Sequence, residues 1–512
     1  MLPQNLRLIF GIAVGTLIFS SCSVGPNFMP PSAPGFETYT ANSLPEQTVS
    51  APVFAGEAQV FAYGQEVPYN WWYLFNSEKL NQVVLQVLSA SPTITAAEAT
   101  LLQAIENFHA KRGVLQFPQV DLNASAADYF ISHRSLKGTQ PQILIPEINL
   151  LRLYNASVDV TYNFDIFGST RRMIEASKAT VDAQAYRLQA AHLTLAANVI
   201  TTVFKEALLR KQRDIYLATV ALEEAQLSIT DKQFQIGGVA KLDVIAQQGQ
   251  LAQTKGNNLP SIEKMLIQTR NQLAVYAGLF PQEECGLPKF YLEDFILPTE
   301  LPLSFPSELV RNRPDILVAE AKLHETTANV GVAISNFFPQ LALSASYGPL
   351  VIDGDPIFNF HAWIASLGAS LTQPIFHGGE LIAKRQAAIA AFDKAAADYF
   401  HTVLQSFQNV ADVLTALQFD AEELKVYTEA AERNQETLNI TTQQFNLGGV
   451  SYVAMLDARR QYERSLLKLA ESQVARLADT AALFQALGGR IIKESKDESC
   501  FFRNPAVCGE AS

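Results

Sequence analysis

Three segments of this sequence occur twice, in the same order and at nearly one spacing. Lys232-Gln233-Phe234-Gln235-Ile236-Gly237-Gly238-Val239-Ala240 returns as Gln443-Gln444-Phe445-Asn446-Leu447-Gly448-Gly449-Val450-Ser451. Phe117-Pro118-Gln119-Val120-Asp121-Leu122 returns as Phe338-Pro339-Gln340-Leu341-Ala342-Leu343, and Asp165-Ile166-Phe167-Gly168 is echoed by Pro374-Ile375-Phe376-His377-Gly378. The pairs are separated by 211, 221 and 209 positions. One such pair arises by chance; three in register mean a duplication, so the fold must be two copies of one plan.

Each copy reads as helix, two strands, long helix, tight turn, helix. No proline interrupts the chain between Gly168 and Pro260 or between Pro374 and Pro505, although the chain holds 24. Both stretches are rich in Ala, Leu, Gln, Glu and Lys, which favour helix. A continuous helix from Ser169 to Ile236 would be about 100 Å long at 1.5 Å per residue, and Glu380 to Leu447 would match it. Helices of that length belong to coiled coils or tunnels. Gly237-Gly238 and Gly448-Gly449 end them, because glycine accepts the left-handed turn without steric cost. Segments 241 to about 280 and 452 to about 487 then return antiparallel, so each half carries a helical hairpin with a Gly-Gly tip.

The strands alternate strictly. Tyr154, Ala156, Val158, Val160, Tyr162 and Phe164 point one way; Asn155, Ser157, Asp159, Thr161, Asn163 and Asp165 point the other. Trp363, Ala365, Leu367, Ala369 and Leu371 alternate with Ser366, Gly368, Ser370 and Thr372, and weaker versions start at Val120 and Leu341. Period two gives one apolar and one polar face. About ten residues per strand, with aromatic residues near the ends, fits a tilted strand crossing an outer membrane. Four strands cannot close a barrel, since an open edge leaves backbone groups unpaired in lipid and the smallest bacterial barrels have eight. The chain must therefore pool strands with copies of itself. The competing reading is a soluble periplasmic coiled-coil scaffold whose strands cover an ordinary core.

The ends and the charge point the same way. Arg7, an apolar run from Leu8 to Phe19, then Ser20-Ser21 read as a secretory signal over 1–21, too short to span a bilayer. Cys22 follows the small residues, as in a bacterial lipoprotein cleavage box, with Phe19 where leucine is usual. Cys500 and Cys508 are placed either to close a small loop or to remain free thiols. A net charge of −12 argues against a nucleic-acid partner. The seven histidines show no metal spacing, and no nucleophile elbow, P-loop or dinucleotide fingerprint occurs, so neither an enzyme nor a cofactor is expected.

Taken together, these residues resemble the outer membrane efflux family, the TolC-like channels, and especially its lipoprotein branch of OprM-like and NodT-like outer membrane factors. The resemblance rests on Cys22-Ser23-Val24-Gly25-Pro26-Asn27-Phe28, Trp71-Trp72-Tyr73-Leu74-Phe75, and Arg313-Pro314-Asp315-Ile316 with Gly331-Val332-Ala333 and Phe337-Phe338-Pro339. Gln373-Pro374-Ile375-Phe376-His377-Gly378-Gly379 completes it, and the match covers nearly all of the chain after residue 22. It implies an α+β membrane protein: a homotrimer whose chains each give four strands to a twelve-stranded β-barrel standing on a long periplasmic α-helical barrel. The divisions are a signal at 1–21, a lipidated equatorial segment at 22–76, a first repeat at 77–305, a second at 306–488 and an equatorial tail at 489–512. Segments 131–153 and 350–360 would be the outer loops.

The same resemblance assigns residues. Cys22 would carry the lipid. Asp457 would form a ring at the periplasmic aperture, with Val453 one turn earlier as an apolar constriction, and Asp243 holds the comparable place after the first tip. Gly237, Gly238, Val239, Gly448, Gly449 and Val450 would meet a periplasmic adaptor (membrane fusion) protein that links to an inner-membrane transporter. Val450 stands where some relatives carry a closing arginine, so that salt bridge is absent. The implied function is passive conduction of small molecules from that pump to the exterior; export of proteins by a type I secretion system is the alternative.

Overall fold

A computed structural model describes residues 23–41, 44–130, 150–352 and 363–488. Residues 1–21, Cys22 and the tail 489–512, with Cys500 and Cys508, lie outside it, as do most of the two expected outer loops. The described residues divide into two compact units, each drawn from both repeats.

The first unit takes its residues from Met1–Pro30, Leu101–Gln184 and Ala319–Tyr399. It holds a four-stranded antiparallel sheet of β2 (Gln119–Phe130), β3 (Leu150–Phe164), β5 (Gln340–Ile352) and β6 (Trp363–Thr372), in the order β2-β3-β5-β6. Its register puts the alternating apolar residues of the four strands in common rungs on one face, although Leu153, Leu350, Ile352 and Ile364 stand on the other. Val120 pairs with Val160, which pairs with Ala345, which pairs with Leu367. The next rung is Asp121, Asp159, Ser346 and Ser366. A slip of one residue would invert both faces, so the two-residue period fixes the pairing. Among the described residues much of the apolar face is uncovered, with Leu367 87% exposed and Leu122 78%, while Val351 is buried. β3 and β5 run further than expected, taking in residues 150–153 and 350–352: the added part of β5 pairs with 153–155 of β3, and Arg152 faces Asp128 of β2 at 3.3 Å. Asp165 starts the helix that follows, its carboxylate accepting from the backbone N–H groups of Thr170 (3.2 Å) and Arg171 (3.0 Å).

The second unit takes its residues from Pro31–Thr100, Ala185–Val318 and Phe400–Ser512. Its core is aromatic. Trp71 lies 5.6 Å from Phe484, Phe75 lies 5.1 Å from Phe204, and Phe204 lies 5.0 Å from Phe295, ring centre to ring centre. Around it runs a feature the sequence did not disclose, a parallel pair of short strands, β1 (Val60–Tyr63) and β4 (Glu300–Leu303). Two four-residue strands are marginal by themselves. They are pinned by Arg476, fully buried, which donates to Ala55 O (2.7 Å), Glu57 O (3.0 Å) and Gln59 Oε1 (2.9 Å). Gln59 in turn donates to Pro298 O and Thr480 Oγ1.

The helices are α1 (Glu78–Ala90), α2 (Pro92–Gln116), α3 (Ser169–Gln235), α4 (Lys241–Gln253), α5 (Leu259–Tyr276), α6 (Pro306–Asn312), α7 (Pro314–Ser335), α8 (Glu380–Asn446) and α9 (Tyr452–Leu487). The helical stretches that open the two repeats each break in two, at Ser91 and Arg313, both extended and both preceding a proline. A residue before proline is driven out of the helical region. The first returning segment also departs from a plain helix, with a π-turn at Thr254–Asn258 between α4 and α5. Pro260 explains it: proline lacks an N–H and its ring crowds the carbonyl four residues back, which a widened turn relieves.

Candidate functional site

The two hairpin tips are built alike. In the first, Gly237 has φ +77°, its N–H donates to Phe234 O (2.9 Å), and Gly238 N–H donates to Gln233 O (2.7 Å). In the second, Gly448 has φ +75°, its N–H donates to Phe445 O (2.9 Å), and Gly449 N–H donates to Gln444 O (2.8 Å). Both are Schellman caps, in which the left-handed residue turns the chain and the last carbonyls are satisfied. The expected glycines therefore stand at both turns.

The returning helices are capped from opposite halves of one motif. Ser451 Oγ accepts from Ala454 N–H at 3.3 Å. Ala240 holds the equivalent position and has no hydroxyl; there Asp243 Oδ2 accepts from Ala240 N–H at 3.1 Å. A capping box uses both bonds at once, and each tip here uses one. Asp243 thus spends one oxygen on its own helix.

Around the tips large apolar side chains stand in solvent, Ile236 at 84% and Leu447 at 87%, while Val239 and Val450 are half-buried. On α9, Val453 and Asp457 lie one turn apart on the exposed face. The opposite face carries Tyr452, Met455 and Leu456, buried together with Phe445, whose ring centre is 5.6 Å from that of Tyr452. Asp457 Oδ1 stands 3.6 Å from Arg460 Nη1, and Arg460 Nη2 donates to Gln250 Oε1 on α4. Arg460 therefore links the second hairpin to the first.

Beside that link lies a polar cluster that sequence reasoning missed. Tyr452 Oη, Glu223 Oε2, Gln247 Oε1 and Arg459 Nε and Nη1 are buried and make no hydrogen bond among the described residues. Burial pushes the Tyr452 hydroxyl up to about 12; Arg459 and Arg460 oppose the shift, Glu223 and Asp243 add to it. Burial also raises the Glu463 carboxyl, with Glu223 adding and Arg464, Arg460 and Arg459 opposing. Each unmade bond of this kind costs about 1–3 kcal/mol, so the two hairpins meet across a contact that is cheap to break. The sequence signal was available in outline: Tyr452, Arg459, Arg460 and Glu463 recur along one helix, yet only the fold brings Glu223 to them, with Gln247 donating to the Glu223 carbonyl at 3.1 Å. Among the described residues no group of His, Cys, Asp and Glu is arranged to hold a metal ion.

Comparison with known proteins places this geometry. The chain is 26% identical over 442 residues to the pyoverdine export outer membrane protein OpmQ of Pseudomonas putida, spanning 86% of this chain and 92% of that protein. It is 25% identical over 426 residues to the probable outer membrane lipoprotein SilC of Salmonella typhimurium, spanning 82% and 87%. Its fold matches the outer-membrane channel OprN with a TM-score of 0.79 at 26% identity, over 91% of this chain and 99% of that one. The outer membrane efflux protein family is matched at residues 83–279 and 305–489, most of both repeats, and the chain belongs to that family.

Proposed function

We propose that this chain is the outer-membrane channel of a tripartite efflux system, conducting small molecules passively from a periplasmic adaptor and an inner-membrane transporter to the exterior. Its family and relatives are outer membrane channels, so the chain lies in that membrane and extends into the periplasm. The soluble scaffold is thereby set aside. The names of relatives, pyoverdine export among them, favour small molecules over proteins as cargo.

One observation carries the reading: a four-stranded sheet with a largely uncovered apolar face and both edges, β2 and β6, unpaired among the described residues. In lipid every edge must be paired. Three copies close twelve strands, with the face bearing Asp121, Asp159, Ser346 and Ser366 toward the lumen. The divisions 1–21, 22–76, 77–305, 306–488 and 489–512 then correspond to signal, anchor segment, two repeats and tail. Cys22 carries the lipid. Asp457 and Val453 line the periplasmic aperture, with Asp243 behind them, and the apolar tips around Gly237, Gly238, Val239, Gly448, Gly449 and Val450 meet the adaptor. No reaction is catalysed and no cofactor is used. Closure, for which Val450 supplies no arginine, rests on the Arg460–Gln250 link and the cluster around Tyr452, and opening moves the hairpins apart as a two-state element.

The test is the purified protein in planar bilayers together with a strain lacking the gene. A heat-sensitive trimer that conducts ions, and a strain that accumulates dyes until complemented, are the expected results. A detergent-independent monomer without conductance would overturn the proposal.

A further inference from the structure

The first residues after Cys22 are seated, and the seat is centred on a side chain with no other evident task. Arg172, 4% exposed on the first turn of α3, spends its guanidinium on the N-terminal segment. Its Nη2 donates to Asn27 Oδ1 (2.7 Å) and Gly25 O (3.4 Å), and its Nε to Val24 O (3.4 Å). Glu175 holds the guanidinium from the other side, Nη1 to Oε2 at 2.7 Å. The other Glu175 oxygen is 2.9 Å from His324 Nε2, and the His324 ring stacks on Phe28 at 4.3 Å.

Backbone geometry makes the seat exclusive. Val24 N–H donates to Phe167 O at 3.1 Å. Gly25 has φ +95°, and a β-carbon there would fall 2.5 Å from Gly331 Cα. Gly168 has φ +84°, and a β-carbon there would fall 2.8 Å from Ser23 Cα. Two glycines thus permit two close backbone approaches, and a third, Gly331, lets the Arg172 side chain pass, since its β-carbon would stand 3.0 Å from Arg172 Cδ. All of this lies where β3 has just ended at Phe164 and α3 begins at Ser169, the end of the sheet that faces the periplasm in the proposed reading.

We infer that Arg172 is a positioning residue for the lipid anchor: it clamps Ser23–Phe28 so that an acyl group on Cys22 enters the membrane at the periplasmic rim of the barrel. This rests on the acylation of Cys22 proposed above. The physical reason is reach. Cys22 is the next residue before Ser23, so the clamp holds the chain up to the residue that carries the acyl group. With the clamp released as far as Tyr39, whose hydroxyl donates to Ser304 O at 2.9 Å, the tether is seventeen residues and spans roughly 20–25 Å as a flexible chain. A single acyl chain binds membrane only marginally. Held at one place, it adds its grip to the barrel at high effective concentration and sets the depth of the rim; on a long tether it does neither.

The experiment compares full-length Arg172→Ala, Cys22→Ser and the double variant in native outer membranes. Labelled palmitate should still enter Arg172→Ala, while the Val24 amide exchanges hydrogen at least tenfold faster than in the parent. Both single variants should lower the temperature at which the trimer dissociates by similar amounts, and the double variant should fall no further than Cys22→Ser. Additive losses would show that Arg172 is an ordinary structural residue and overturn the inference, as would unchanged exchange at Val24. Should Arg172→Ala fail to assemble, Gly25→Ala displaces the segment without altering α3, and the same non-additivity is expected. A parent chain that takes up no palmitate would overturn the anchor itself, whatever the exchange at Val24 shows.

Discussion

Arg460 stands between Asp457 and Gln250, 3.6 Å from the carboxylate on its own helix and bonded to the amide on the other hairpin. The residue that partly neutralises the carboxylate proposed for the aperture is therefore the one that ties the hairpins together. In the proposed channel, charge at the mouth and closure of the mouth are therefore coupled through one guanidinium.

That coupling gives opposite expectations for the two partners. Asp457→Ala removes three carboxylates from the aperture of a trimer, so cation preference should fall and single-channel conductance should rise. Arg460→Ala frees the carboxylates and breaks the link to Gln250, so cation preference should strengthen while conductance also rises. Reversal potentials across a salt gradient in planar bilayers separate the two. Unchanged selectivity in Asp457→Ala would remove that residue from the pore.

Tyr452 separates ring from hydroxyl. Its ring packs on Phe445 beside Met455 and Leu456, while its hydroxyl is buried without a hydrogen bond among the described residues. Tyr452→Phe should therefore leave stability unchanged or raised, because an unmade bond disappears. Tyr452→Ala should cost about 3–5 kcal/mol locally and leave the channel open more of the time. The comparison is open probability at fixed voltage. A Phe variant as leaky as the Ala variant would mean that the hydroxyl, not the ring, holds the closed state.

The repeat made most of this architecture legible before any coordinates. It located the two long helices to within a residue or two, the glycine turns and the four alternating strands, because each is written in local pattern: proline absence, φ-permissive glycine, period two. What stayed hidden is what depends on distant partners. Nothing in Val60–Tyr63 or Glu300–Leu303 announces a parallel pairing across 240 positions, and its pin, Arg476, sits far along another helix. The same holds at the tips, where Glu223 acquires meaning only beside Tyr452 and Glu463 of α9. Even so, Ser91-Pro92 and Arg313-Pro314 are a further repeated pair in plain view, and their shared break was readable from the proline rule.

The turn glycines allow a test with little steric interference. No atom lies within 4 Å of a β-carbon built on Gly237 or Gly448, so substitution there meets only the backbone cost. Gly448→Ala should destabilise the tip by about 1–2 kcal/mol, and Gly448→Asn by less, since asparagine tolerates the left-handed region. Amide exchange at Gly449, whose N–H closes the cap on Gln444, should rise in that order. If adaptor binding in a pull-down falls with Ala and recovers with Asn, the shape of the turn is what the partner recognises.

A last expectation concerns pH. Asp479 on α9 is hydrogen-bonded to Asp420 on α8, and burial first, then the neighbouring carboxyl, raises it from an ordinary 3.8 to about 8. Two carboxyls can share a hydrogen bond only while one keeps its proton, so the pair titrates as a unit. The folded value is above the unfolded one, hence the protonated form stabilises the packed helices. That contribution is complete below about 4 and is lost as pH rises through about 8. Trimer dissociation temperature should therefore fall between pH 6 and pH 9 by more than in Asp479→Asn, whose amide can still bond Asp420 and does not ionise. Arg476 lies one turn earlier on α9 and interacts with Asp420, so the loss should be smaller than for an isolated carboxyl pair. Equal pH slopes in the parent and Asp479→Asn would show that the proton is not shared.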